Sequence, residues 1–212
     1  KVYYAIKEMK SGFANVKFNG NGSSATLYSR DLKTKAQKEI LTDDFRDFVV
    51  LEDGTIVYAT QNKAKFGSEI WRYNNGQREK LGTSPELISE MKLWQDKIVV
   101  VSKENLGAYG IKFLDLAQKL SLETIIDTKY LETNINISGN KVYFNANYDG
   151  VMAIYQYDLE TEELAKLSNY GMSGVVSENN LYYTTVFAEG TSIYEKKSTP
   201  KRKSIPTGDK ST

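Results

Sequence analysis

One module of short apolar and aromatic runs returns five times along the chain at a beat of roughly forty residues, and no other feature restricts the possible folds so sharply. The first run of each copy is Val2-Tyr3-Tyr4, Ile56-Val57-Tyr58, Ile98-Val99-Val100, Val142-Tyr143-Phe144 and Leu181-Tyr182-Tyr183. A second run follows inside each copy, as Leu27-Tyr28, Ile70-Trp71, Ile111-Lys112, Ile154-Tyr155 and Ile193-Tyr194. Two independent landmarks keep the same spacing. A period of this length carried by short strands marks a propeller blade. The expected fold is all-β, a β-propeller of four-stranded antiparallel blades, with about five blades visible and the first incomplete. Residues 1–206 read as one propeller domain with repeats near 1–41, 46–81, 87–126, 133–168 and 173–206, and 207–212 as a polar tail.

The fourth copy shows the grammar most plainly. Ile135 to Ile137 is a short inner strand ended by Ser138-Gly139-Asn140, residues that tolerate left-handed backbone geometry. Lys141 to Asn147 is the second strand, with Val142, Phe144 and Ala146 on one face and Tyr143 and Asn145 on the other. After the turn Tyr148-Asp149-Gly150 come a third strand to Leu159 and a fourth over Leu164 to Leu167. An aspartate or asparagine recurs where the third strand ends, at Asp31, Asn74, Asp115 and Asp158. It can accept bonds from backbone amides two residues on and so hold the turn.

The first copy has no inner strand and carries a polar insertion, Lys10 to Ser24, expected to project as a loop. The last copy reads as Val175-Val176, Leu181 to Phe187, Ser192 to Lys196 and a weak final strand near Lys203-Ser204-Ile205. A propeller must join its last blade to its first or leave a sheet edge exposed. The opening at Lys1, inside a strand pattern and without a methionine, suggests upstream sequence as the missing piece; cover by another molecule, or self-association through an open blade edge, is the other reading.

An apolar-aromatic strand, then Ile154-Tyr155-Gln156-Tyr157-Asp158-Leu159, then a turn and a Leu-x-x-Leu strand over Val142 to Ser168, resembles the WD40-like repeats of bacterial TolB-type propellers, as does Ile70 to Leu81. The resemblance covers most of the chain and is to a structural module. It implies a binding scaffold more than a reaction, since the group spans periplasmic scaffolds and the propeller halves of prolyl oligopeptidase-like enzymes. The Gly-His and Trp-Asp pairs of eukaryotic WD40 repeats are absent, so their partners are not carried over.

Chemistry is constrained mainly by what is missing. The chain contains no histidine and no cysteine, which removes the common general base of hydrolytic triads, the commonest neutral zinc ligand, thiolate sites and disulfides. Ser-x-x-Lys spacing occurs at Ser89/Lys92, Ser138/Lys141 and Ser198/Lys201, but none opens a convincing helix as a serine-lysine nucleophile requires. Acids gather at Asp43, Asp44 and Asp47 and stand singly at Asp53, Asp96 and Asp149; no stretch matches a calcium loop, and turn formation is the favoured reading. No cofactor and no metal is expected.

Twenty-eight basic against 27 acidic residues give a net charge of +1, which offers nucleic acid no electrostatic footprint. No apolar run is long enough for a membrane helix. The basic run Lys196, Lys197, Lys201, Arg202 and Lys203 reads as a solvated tail. Asn21-Gly22-Ser23 and Asn136-Ile137-Ser138 match the glycosylation pattern, which chance supplies often. Among 15 tyrosines and two tryptophans, Tyr58, Tyr143 and Tyr155 read as packing between blades, whereas Trp71 and Trp94, near strand ends, are the candidate ligand-binding residues.

The expected function is a non-catalytic scaffold presenting loops for protein–protein binding. The alternatives are an accessory propeller of a peptidase or glycan-active enzyme whose catalytic domain lies outside this chain, and a carbohydrate-binding propeller. Abundant Lys, Asn, Ile and Tyr, typical of AT-rich bacterial coding, points to a periplasmic or extracellular bacterial protein.

Overall fold

The structure, a computed structural model, describes residues 1–7, 25–187 and 190–206. Every regular element among them is a strand. In chain order they are β1 (Val2–Lys7), β2 (Ala25–Arg30), β3 (Gln37–Asp43), β4 (Phe45–Val50), β5 (Ile56–Gln61), β6 (Ser68–Asn74), β7 (Gln77–Ser84), β8 (Leu87–Trp94), β9 (Lys97–Lys103), β10 (Tyr109–Asp115), β11 (Ser121–Ile126), β12 (Thr133–Ser138), β13 (Lys141–Ala146), β14 (Ala153–Asp158), β15 (Leu164–Lys166), β16 (Met172–Ser177), β17 (Asn180–Phe187), β18 (Gly190–Lys197) and β19 (Lys201–Lys203). The chain divides into two compact units, Lys1–Ile88 and Ser89–Thr212.

Unit 1 holds the three-stranded sheet β1-β2-β3 and the four-stranded sheet β4-β5-β6-β7. Among the described residues the first sheet has three strands and no inner one, as its sequence suggests; the expected insertion at Lys10 to Ser24 falls outside the described residues. Its core joins Leu27 to Phe45, Ile56 and Tyr58 of the second sheet. Unit 2 holds β8-β9-β10-β11, then β12-β13-β14-β15 extended by β19, then β16-β17-β18. All pairings are antiparallel. Strands β9, β13 and β14 are buried on nearly every residue, because each lies mid-sheet with a neighbouring sheet to pack on. This explains why their apolar runs are continuous rather than alternating.

Two expectations about the last copy need correction. The side chains of the basic run are mostly exposed, but the run is not a free tail, and its terminal strand does not complete the fifth sheet. Instead Lys201–Lys203 pairs antiparallel with β15, Leu164 opposite Lys203 and Lys166 opposite Lys201, and becomes the outermost strand of the fourth sheet. The reason is local: β15 is only three residues long and buried at Leu164 and Ala165, so its outer edge would otherwise leave backbone groups unpaired.

The aspartate turns behave as the sequence suggests at three of four positions. Asp31 Oδ1 accepts from Lys33 and Thr34 amides, Asp115 Oδ1 from Ala117 and Gln118, and Asp158 Oδ1 from Glu160 and Thr161, at 2.7–3.1 Å. Four residues on, Lys35, Lys119 and Glu162 each take a positive φ, of 63°, 54° and 58°, which closes the hairpin. These amides hold the Asp31 and Asp158 carboxyls below the ordinary carboxylate range. Asn74 departs from the pattern: its amide donates to Thr55 Oγ1, and the hairpin is a two-residue turn at Asn75-Gly76 with φ of 49° and 82°, the type I′ geometry favoured by Asn-Gly. Asp158→Ala is expected to lower stability by about 1 kcal/mol, the worth of a charge-assisted turn. The denaturation midpoint reads this directly, and an unchanged midpoint would mean that the backbone bonds from Glu162 and to Glu163 suffice.

Candidate functional site

Trp71, expected near a strand end, lies instead in the middle of β6, opposite Tyr58 of β5 and Lys80 of β7. Its indole Nε1 donates to Thr60 Oγ1 at 3.2 Å. The Arg78 guanidinium carbon stands 3.8 Å from the ring centroid, close enough for a strong cation–π contact. Arg78 in turn reaches Asp43 Oδ2 at 2.6 Å, and the Tyr58 hydroxyl donates to that same oxygen at 3.0 Å. Burial, with the Asp43 charge beside it, pushes the Tyr58 phenol well above its ordinary range. Trp71, Arg78, Asp43 and Tyr58 therefore form one stack that ties the end of β3 to the second sheet.

Trp94 is the last residue of β8. Its ring stacks on Phe113 at 5.8 Å between centroids, and Lys97 Nζ lies 5.0 Å from the Phe113 centroid. The indole nitrogen is buried with no hydrogen-bond partner. Beside this pair opens a cleft of about 570 Å³, within the range of small-molecule sites, lined by Asp96, Lys97, Phe113, Asp115, Gln118 and Glu123 among others.

The acids singled out from sequence disperse. Asp43 serves Arg78 and Tyr58, Asp44 lies 3.8 Å from Lys63, and Asp47 Oδ1 accepts the Phe48 amide. Asp53 holds its turn through both the amide and hydroxyl of Thr55, which keeps its carboxyl below the usual range. Asp149 lies between Lys166 at 2.6 Å and Lys203 at 3.5 Å. Among the described residues no group of three or more acids could hold a metal ion. Of the serine-lysine spacings, Ser89 donates to the Val101 carbonyl and Lys92 to the Met91 carbonyl, while Ser138 and Lys141 face each other as cross-strand partners closing the β12–β13 hairpin. Asn136 spends its amide on Gly174 O at 3.3 Å, and Asn21 lies outside the described residues. Tyr58 and Tyr155 are fully buried and Tyr143 nearly so, in keeping with packing between sheets.

Three polar residues, Glu90 half-buried and Asn145 and Glu132 fully buried, escaped the sequence reading. Glu90 accepts the amides of Asn134 and Ile135 at 2.7 and 2.8 Å, fixing the start of β12. Asn145 does the same for the next sheet: its Oδ1 accepts the Ser173 amide at 2.7 Å and its Nδ2 donates to Gly171 O at 2.7 Å. Both clasped segments carry a left-handed residue, Asn134 and Ser173, and a register shift. The third is Glu132, fully buried in the connection before β12. Its Oε1 accepts from Thr128 Oγ1 at 2.5 Å, while Oε2 has no partner, and the Tyr148 hydroxyl approaches without reaching hydrogen-bond geometry. Burial pushes its carboxyl up to about 7. A polar residue inside an otherwise apolar run, as Asn145 is, was the available signal.

No family model matches the chain, and no curated protein matches it. Solved structures do. TolB from Acinetobacter baumannii superposes with a TM-score of 0.59 at 16% identity, over 87% of this chain and 50% of its own. A putative TolB from Agrobacterium tumefaciens gives 0.63 at 11% identity, over 84% and 73%. The fold is that of a TolB-type β-propeller. Pyrococcus horikoshii acylaminoacyl peptidase gives 0.58 at 16% identity over 86% of this chain but only 31% of the enzyme. The chain thus spans about half of the first TolB and under a third of the peptidase. Identities this low carry the blade architecture and no residue roles.

Proposed function

We propose that this chain is a non-catalytic propeller scaffold, one domain over residues 1–206, that binds another protein in an extracytoplasmic bacterial compartment. One observation carries the reading. The register of β16, β17 and β18 puts Met172, Val186 and Ile193 on the same face of the fifth sheet. They are 40%, 61% and 79% exposed, and the outer edge of β18 pairs with no strand among the described residues. The opposite face, with Leu181 and Tyr183, packs on Tyr143, Ile154 and Leu167 of the fourth sheet. One face is spent on a neighbouring sheet. The other offers the same kind of apolar surface to a partner, beside an edge able to accept an extended segment.

A photo-crosslinker placed at position 193 of the full-length protein is expected to yield one discrete heteromeric adduct in cells, and the same label at exposed Leu32 none. An adduct at twice the chain mass would replace the partner by a second copy. A link without mass gain would assign the face to a further part of the same protein, and either result overturns the proposal.

Glycan binding, the second reading, is favoured by the Phe113 ring, stacked on Trp94, in the wall of the blade-three cleft. Trp71 is the other aromatic candidate, with Arg78 over its ring. Saturable quenching of tryptophan fluorescence by an oligosaccharide, lost in Trp94→Phe or Trp71→Phe, would move the assignment there.

A further inference from the structure

Lys166 meets two lysines from much later in the sequence, Lys196 and Lys201, where β19 crosses back to the fourth sheet. Lys166 of β15 is the cross-strand partner of Lys201 of β19, and Lys196, near the end of β18, joins them around a small pocket of about 180 Å³. Ser168, Asn169 and Thr199, residues that carry hydroxyl and amide groups, line it as well, and the Ser168 hydroxyl oxygen also accepts the Ile154 amide at 2.9 Å. No acidic side chain among the described residues lines it. Asp149 offsets the Lys166 charge at 2.6 Å and also faces Lys203 at 3.5 Å, and Glu163 takes Arg202 at 2.7 Å. Lys196 and Lys201 have no carboxylate within ion-pair distance among the described residues.

Folding alone would not choose this arrangement. Like charges directly opposite on neighbouring strands are destabilising; of the three lysines Asp149 answers Lys166 alone, which leaves the charges of Lys196 and Lys201 acting on each other beside it. Lys196 is partly withdrawn from water, and that burial, followed by the charge of Lys201, lowers its amine below the ordinary lysine range. The repulsion is relieved if an anion occupies the pocket. Its volume lies below the roughly 300–1,000 Å³ of sites for drug-sized ligands, so it suits a compact group. Point-charge ammonium donors with hydroxyl and amide donors beside them suit a tetrahedral oxyanion, for which lysine is a recurrent binder.

We propose that the pocket formed by Lys166, Lys196 and Lys201, with Ser168, Asn169 and Thr199, is a binding site for a phosphate- or sulfate-sized oxyanion, either free or as a monoester group. The site bridges the fourth and fifth sheets, so the anion fastens the β18–β19 crossover to β15. It is independent of the apolar face of the fifth sheet.

The test is an amide-resolved NMR titration with sodium phosphate at neutral pH, with sodium chloride balancing ionic strength. Saturable shifts are expected at Ser168, Asn169 and Thr199, with affinity falling at least about tenfold in the Lys196→Gln/Lys201→Gln variant and unchanged in Lys33→Gln, an exposed lysine elsewhere. Without phosphate the double variant is expected to melt higher than the parent, because it has lost the repulsion, and added phosphate should no longer raise its melting temperature. A sugar phosphate run in parallel separates the sources: tighter binding than inorganic phosphate assigns a monoester, weaker binding a free ion. Shifts that track salt alone, or that persist in the double variant, would overturn the site.

Discussion

Asn145→Ala is expected to destabilise the protein by about 3 kcal/mol. The side chain is fully buried and makes three bonds, accepting from the Ser173 amide and donating to the carbonyls of Gly171 and Ala153. Truncation leaves the buried Gly171 carbonyl without a donor, and a stranded buried polar group costs about 1–3 kcal/mol. The vacated volume adds to this. Leucine at the same position is no remedy, since the buried Gly171 carbonyl would still be without its donor. Chemical denaturation of the variant should show a lower midpoint with an unchanged slope, and hydrogen exchange should quicken first at Ser173. A loss below about 1 kcal/mol, the ordinary worth of one exposed hydrogen bond, would show that the fifth sheet is held without this clasp.

Glu132→Gln should act in the opposite direction and only above acidic pH. The carboxyl is raised from 4.5 to about 7 in the folded protein, burial being the largest cause, with Asp127, itself 3.6 Å from Lys112, adding to it. Between those two values the folded state holds a proton that the unfolded state has lost. Stability attributable to this group is therefore complete below about 4.5, declines as pH rises through the window, and stays low above about 7. At 1.36 kcal/mol per unit the full penalty is about 3 kcal/mol. Glutamine is the neutral isostere. It keeps an acceptor for Thr128 and offers a donor toward the Tyr148 hydroxyl, which otherwise has no partner. The variant should gain nearly that much stability at about pH 8 and almost none at about pH 4.5, flattening the pH profile of the denaturation midpoint. Equal stability of the two proteins in the alkaline range would mean that the carboxylate finds water or a partner when it ionises.

Blade grammar was legible because the strands must alternate, turn and pack within a few residues of one another. The Asp31, Asp115 and Asp158 turns follow from local hydrogen bonding alone, and so does the Asn75-Gly76 hairpin. What could not be read was anything decided by residues far apart in sequence. Lys201–Lys203 has too little apolar character to announce more than a weak strand near Lys203, and nothing in it names the unmet edge of β15 as its partner. Glu90 and Asn145 look like ordinary polar members of strands until the segments they clasp, Asn134 and Ser173, are folded against them. Trp71 illustrates the same point for the candidate site. Its place in β6 follows from the pattern, but the Arg78 guanidinium over its ring depends on the partner strand and on Asp43 beyond it.

The return of β19 to the fourth sheet also orders events during synthesis. Leu164, Ala165 and Lys166 leave the ribosome before any residue of the fifth sheet, whereas Lys201, Arg202 and Lys203, their partners, come after all of it. The nascent fourth blade must therefore wait with a raw border while about thirty-five further residues are translated, a delay of seconds at ~5–20 residues per second. A chain interrupted after β18 would keep five sheets in name but carry that border permanently.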